Sequence, residues 1–321
     1  MKIIIGRKFS TLLICAAVCC IVVSESFAVE AQFGQLVFEK NSLYQQIQVY
    51  QSGPIVTLRF GMMPDVDVQS QVNLNNLRIH MLEYTPMTFC GLLYNSEPNR
   101  VLVLGLGGGV IPREMHYYFP SAQIDVVEID SEIPKVAREF FAFREDKKLK
   151  VHIDDGRMFV KKQLRLKEVP KYDIIILDAF NNEYIPFHLM TKEFLGELKG
   201  ILSDDGVVVA NVFYSSRLFD AEFKTFQAVF GKCQAYFGYD SSNAMIVSGV
   251  KSFQLLTTKE TVEKAKILGK KHQFYFDIIT VARQIRPNLR IDSRAEVLTD
   301  DLAPVNWLKT QQRVEDTNTV P

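Results

Sequence analysis

Two hydrophobic periods divide the chain. Residues 45–51 (QQIQVYQ) and 55–60 (IVTLRF) alternate apolar and polar side chains on either side of Ser52-Gly53-Pro54. That pattern predicts a small antiparallel hairpin. Residues 61–73 read as a loop with a short strand, residues 77–91 as a helix, and residues 95–99 as a polar link. From Arg100 onward the pattern changes. Short, almost wholly apolar runs at 101–105, 124–130, 149–153, 172–178 and 206–213 alternate with helical stretches at 111–118, 133–141, 158–166, 192–202 and 219–230. Near-continuous apolar runs suit parallel strands covered on both faces. Their alternation with helices predicts an α/β, doubly wound sheet with right-handed crossovers. Residues 233–239 and 243–249 would finish it as an antiparallel pair, and 258–270 and 273–286 read as two more helices. The expected organisation is a leader at 1–28, an N-terminal β-hairpin region with a linking helix at 29–99, a Rossmann-like nucleoside-binding domain at 100–310 and a flexible tail at 311–321.

The leader rests on a basic start (Lys2, Arg7, Lys8), an apolar stretch from Leu12 to Val23, and small residues in Ser26-Phe27-Ala28. This is the layout of an export signal. It predicts a periplasmic or secreted chain, or a membrane-anchored one if the N-terminus is retained. The stretch is short for a membrane span, so no stable membrane domain is expected otherwise. The chain of 321 residues is 47% hydrophobic and formally neutral. It therefore lacks the basic surface that nucleic-acid binding requires. Beyond the leader only Cys90 and Cys233 remain. They form no disulfide scaffold, and no His/Cys cluster has metal-ligand spacing, so no metal is expected.

The candidate chemistry sits where the apolar strands end, which is where ligands of doubly wound sheets bind. GLGGG at 105–109 follows the first such strand. Its glycines let backbone N–H groups approach a ligand, and the next helix presents its N-terminus to the same place. Gly105, Gly107 and Gly109 are the candidate contacts. A dinucleotide fingerprint would need glycine where Val110 stands. Glu128 ends the second strand, where a carboxylate can accept both ribose hydroxyls. Asp155 and Gly156 follow the third, where an acid can accept from an adenine amino group. Taken alone, Asp154-Asp155-Gly156 is equally a turn. Asp178 ends the most apolar strand and could hold a cationic amine. Asn181, Glu183, Tyr184 and His188 follow it.

Together with SLYQQIQV at 42–49 and LTDDLAPVNWL at 298–308, these stretches resemble the spermidine/spermine synthase (polyamine aminopropyltransferase) superfamily, in particular its bacterial spermidine synthase-like branch. The resemblance runs from about Ser42 to Leu308. It implies a Rossmann-like S-adenosylmethionine-dependent methyltransferase fold with a small N-terminal β-strand region. It also implies decarboxylated S-adenosylmethionine or S-adenosylmethionine as co-substrate. Ribose would bind at Glu128, adenine near Asp155, and an amine at Asp178, with Tyr44 and Gln45 lining the site and Tyr184 bordering the substrate. Relatives commonly dimerise, so a homodimer is expected.

Two positions depart from that pattern. Gly108 stands where synthases usually carry an aspartate, and Asn181 stands where a second strand-end aspartate takes the proton from the attacking amine. An amide cannot do this, so Asp178 or Glu183 would have to substitute. The expected activity is aminopropyl transfer from the decarboxylated cofactor to a small amine such as putrescine, weakened by these changes. Methyl transfer to a small molecule and non-catalytic nucleoside binding stay open as alternatives.

Overall fold

The computed structural model describes residues 32–61, 68–179 and 186–313. The expected leader at 1–28 therefore lies outside the described residues, and so do Asn181, Glu183 and Tyr184. Among the described residues no helix is long and apolar enough to cross a membrane.

The main sheet contains β5 (Arg100–Leu104), β6 (Gln123–Glu128), β7 (Leu149–Ile153), β8 (Tyr172–Leu177), β9 (Leu202–Phe213), β10 (Cys233–Phe237) and β11 (Asn243–Gly249). Their order is β10-β11-β9-β8-β5-β6-β7. The run from β7 to β9 is parallel, as the apolar runs predict. β10 and β11 pair antiparallel as expected, with β11 lying between β9 and β10. Strand order reverses between β5 and β8, and a crevice opens there above the strand ends.

Alternation along the central strands divides the core into two layers. Val101, Val103, Ile174 and Ile176 face one layer. Leu102, Leu104, Ile175 and Leu177 face the other. The helices close these layers: α2 (Val110–Tyr118) and α3 (Ile133–Phe140) on the first, α4 (Gly156–Leu164), α5 (Lys192–Ile201) and α6 (Leu218–Phe230) on the second.

The N-terminal region is larger than a hairpin. It is a four-stranded antiparallel sheet of β1 (Gln35–Asn41), β2 (Gln46–Ser52), β3 (Ile55–Phe60) and β4 (Val68–Asn73). Ile47, Val49, Leu58 and Val72 join the first core layer, so this sheet packs on the main domain. The helix expected over 77–91 is reduced to α1 (Tyr84–Met87) and a 3-10 turn (Thr88–Leu93). Tertiary contacts override helix propensity ahead of it. Arg78 reaches Glu114 at 3.2 Å and lies 3.7 Å over the Tyr117 ring. The C-terminal helices are α7 (Thr258–His272), α8 (Ile278–Arg283) and the short α9 (Val305–Leu308). The loose tail expected from residue 311 does not begin there. Gln312 bridges Ser216, and Arg313 Nε donates to Asp220 at 3.1 Å.

β4 also positions the glycine loop. Gly108 N–H donates to Ser70 Oγ at 2.8 Å. A Cβ at Gly108 would lie 2.6 Å from the Phe141 ring and 3.0 Å from Ser70 Cβ. The space where the resemblance places an aspartate is therefore filled by two neighbouring elements. Gly108→Asp should not supply the missing acid. Overpacking of this kind costs about 1–3 kcal/mol, which urea unfolding would read as a lower midpoint. An unchanged midpoint would mean that Phe141 swings aside at little cost.

Candidate active site

A cavity of about 990 Å³ occupies the crevice. It is lined by Tyr44 and Gln45 from the β1–β2 turn, by Gly105 and Gly107 from the glycine loop, and by Glu128, Asp155, Gly156 and Asp178 from the strand ends. His188 lines it as well. The structure therefore gathers all of the sequence-predicted site residues that it describes, except that Gly109 is not in the lining. Gly109 instead precedes α2 with φ +74°, and a Cβ there would meet Phe143 at 2.4 Å. Its role is packing.

Gly105 shows why the loop needs glycine. Its φ is +100°, and an added Cβ would sit 2.3 Å from the Asp178 carbonyl oxygen. The end of β8 passes directly beneath the loop as a result. Leu106 N–H donates to Glu128 Oε2 at 3.0 Å, and Asp130 N–H to Glu128 Oε1 at 2.9 Å. Glu128 thus clamps the glycine loop to the end of β6. A carboxylate has about four lone-pair sites, so acceptor capacity remains for a ligand's hydroxyl. Burial pushes its proton affinity up to about 7, although the two N–H donors oppose the shift.

Asp155 is the N-cap of α4. Its Oδ1 accepts from Met158 N–H at 2.8 Å, and its Oδ2 lies 3.0 Å from His188 Nε2. The His188 hydrogen bond holds this carboxyl below its ordinary value. Asp155 thus caps α4 and lines the cavity at once. Ile129 adds a partly exposed apolar wall beside Glu128.

Asp178 lines the cavity directly after β8. Asn211 on β9 donates from Nδ2 to its Oδ1 at 2.8 Å. Asn243 on β11 donates to Asn211 Oδ1 at 2.9 Å, which fixes the amide's orientation. Oδ2 of Asp178 carries no protein partner among the described residues. Burial pushes this carboxyl up to about 7, with Asn211 pulling the other way.

The rim is built from distant segments. The Ser42 hydroxyl accepts from Tyr44 and Gln45 N–H at 3.0 Å, which leaves Tyr44 about half exposed at the mouth. Glu83 accepts from Tyr239 N–H at 2.6 Å and Asp240 N–H at 3.0 Å, and from Gln284 Nε2 at 3.0 Å. Among the described residues, no group of three or more His, Cys, Asp or Glu could hold a metal ion.

Residues 82–264 match the spermine/spermidine synthase domain. The chain is also 37% identical, over 85% of its length and 91% of the relative's, to a polyamine aminopropyltransferase of Vibrio vulnificus. The chain belongs to the spermine/spermidine synthase family. Among solved structures, a probable spermidine synthase from Corynebacterium glutamicum is similar with a TM-score of 0.64 and 18% identity, covering 84% of this chain and 99% of that one. Human methyltransferase-like protein 13, solved in complex with SAH, is similar with a TM-score of 0.55 and 26% identity, covering 66% of this chain and 97% of that one. The family's Rossmann-like methyltransferase fold is the one expected from the sequence.

Sequence reasoning missed two acids of this spermine/spermidine synthase site, Glu83 and Glu222. Both line the cavity. Glu222 lies on α6, only 3% exposed, with no hydrogen bond or ion pair among the described residues. A signal was present. In FDAEFKTF at 219–226, Glu222 follows Leu218 by one turn and precedes Phe226 by one turn, so it falls on the apolar face.

Burial pushes the Glu222 carboxyl up to about 8. An acid whose proton affinity rises on folding favours the folded state only while it stays protonated. That contribution is complete below the unfolded value near 4.5 and fades as pH climbs through about 8. Glu222→Gln removes the charge but keeps the shape. The variant should therefore gain stability over the wild type as pH rises from 5.5 to 8. The gain should be about 1–3 kcal/mol by chemical denaturation. A constant difference across that range would mean that Glu222 titrates normally.

Proposed function

We propose that this protein transfers an aminopropyl group from decarboxylated S-adenosylmethionine to an amine such as putrescine. The observation that carries this reading is Asp178. It is a strand-end carboxyl facing the cavity, with one oxygen held by Asn211 and a proton affinity raised to about 7. The curated relative from Vibrio vulnificus, named a polyamine aminopropyltransferase, supports the same chemistry.

The residues present suit the donor. Glu128 retains acceptor capacity for ribose hydroxyls, Asp155 stands where an amino-bearing ring can donate, and Ile129 offers an apolar face between them. The carbon beside a sulfonium is already activated, so the enzyme's task is to align an amine and take its proton. An alkyl ammonium ordinarily holds its proton to about pH 10. Asp178 binds that cation through its free oxygen and accepts the proton. The amine nitrogen then forms a bond to the propyl carbon as the carbon–sulfur bond breaks. The electron pair goes to sulfur, methylthioadenosine leaves as a neutral thioether, and Asp178 returns the proton to solvent. A base poised near neutrality is well matched to this step. It also lets the site work with Asn181 in the position where relatives are expected to carry their base.

Asp178→Asn keeps the shape and removes the base. Methylthioadenosine formation with putrescine should fall by about 10²–10⁴-fold. The wild-type kcat/KM should rise with pH through about 7, as Asp178 loses its proton. A variant that keeps the wild-type rate and pH profile would place the base elsewhere. Release of S-adenosylhomocysteine from S-adenosylmethionine, with no methylthioadenosine from the decarboxylated donor, would favour methyl transfer.

A further inference from the structure

His188 lines the cavity but has no part in the chemistry above. It belongs to a 3-10 turn, Phe187–Leu189, that follows β8, whereas Asp155 caps α4 directly after β7. In the sheet β5 and β6 separate these two strands, so a contact between His188 and Asp155 joins distant strand ends. The turn is firmly seated. Leu189 and Met190 are buried in the second core layer, and Met190 N–H donates to the Phe187 carbonyl at 2.9 Å. A Cβ at Gly156 would touch Leu189 at 3.6 Å, so the turn rests on the start of α4. This seating carries the imidazole to Asp155, with Nε2 3.0 Å from Oδ2.

Direction matters for a carboxyl that lines a binding cavity. Terminal torsions such as χ2 of Asp are broad, so a carboxyl held by one oxygen can swing. Here Met158 N–H holds Oδ1 at 2.8 Å and His188 holds Oδ2. Two bonds from two elements fix the plane of the group, and with it the directions of the remaining lone pairs. Both contacts also favour the ionised form. The carboxyl stays below its ordinary value, with the His188 hydrogen bond the largest cause. The other charged side chains nearby are engaged elsewhere: Lys162 pairs with Asp154, and Arg157 with Glu197 and Asp300. An ionised carboxyl accepts hydrogen bonds and donates none. A ring amino group satisfies it, whereas a ring carbonyl in the same place sets acceptor against acceptor.

We propose that His188 is a positioning residue for the transfer: through Asp155 Oδ2 it fixes the acceptor that meets the donor's ring, and so sets how strictly the site requires a 6-amino purine over a 6-oxo purine. This rests on the aminopropyl-transfer reading for the identity of the donor. The selectivity itself is measurable without turnover.

The probes are methylthioadenosine and methylthioinosine, which carry an amino and an oxo group at the same ring position. Calorimetry on the full chain gives both affinities. Wild type should prefer methylthioadenosine. His188→Phe keeps a ring and removes the donor, and should shrink that preference by about three- to tenfold. His188→Gln keeps an N–H donor and should recover most of it. Acidification adds a second readout. A protonated Asp155 carries an O–H that a ring carbonyl can accept, so the preference fades as pH falls through the acid's value. His188 lowers that value, so the preference should fade at higher pH in His188→Phe than in the wild type. A histidine that merely packs would, when replaced, weaken both nucleosides together and leave the ratio and its pH profile in place. That result would overturn the proposal. So would a wild type that binds both nucleosides equally or neither, or His188→Gln no more selective than His188→Phe. Failure of the transfer reading looks different: methylthioadenosine still binds selectively, but none forms from the decarboxylated donor.

Discussion

Glu128 is the tie on which the cavity depends. Its two oxygens receive N–H groups from opposite sides, one from the glycine loop after β5 and one from the turn after β6. Without that clamp the loop would have one polar anchor fewer, and the loop roofs the Asp178 carbonyl at a distance that admits only glycine. Ser70 supplies a second anchor from the other sheet. The two sheets therefore meet at the glycine loop. The N-terminal sheet, through Ser70 on β4, thus helps to fix the geometry of the site.

The acids along the strand ends form a graded series. Asp155 is partnered by an imidazole and keeps a low proton affinity, while Glu128 and Asp178 are buried and sit near 7. Glu222 is the most isolated and the highest. Burial and partnering thus give the carboxyl groups of one cavity different proton affinities.

Much of this was legible in the sequence. Parallel strands covered on both faces leave continuous apolar runs, and chemistry-bearing residues follow where those runs stop. Gly105, Glu128, Asp155 and Asp178 stand out in the sequence for that reason. Gly109 was read as a ligand contact because a glycine loop does not reveal which of its members face outward. The insertion of β11 beside β9 could not be read, because sequence adjacency shows that two strands pair but not which of them lies inward. The helix expected over 77–91 failed because Arg78 is committed to Glu114 and Tyr117, contacts no local pattern encodes. Glu222 escaped because Asp220, two residues before it, is also buried but paired with Arg313. Helical spacing puts Glu222 with Leu218 and Phe226 on the apolar face, but the local sequence does not show that Asp220 has a partner and Glu222 has none.

The crowding around Gly108 also constrains history. Phe141 comes from the end of α3 and Ser70 from β4, so two segments remote in sequence have closed over one backbone position. An acid placed there by a single substitution would meet both of them at once. Phe141 would have to shrink and Ser70 yield first, and each of those changes would loosen the loop before any benefit arrived. The order of the steps works as a ratchet. With the gap filled, an acid is accommodated more easily elsewhere on the cavity wall than at position 108.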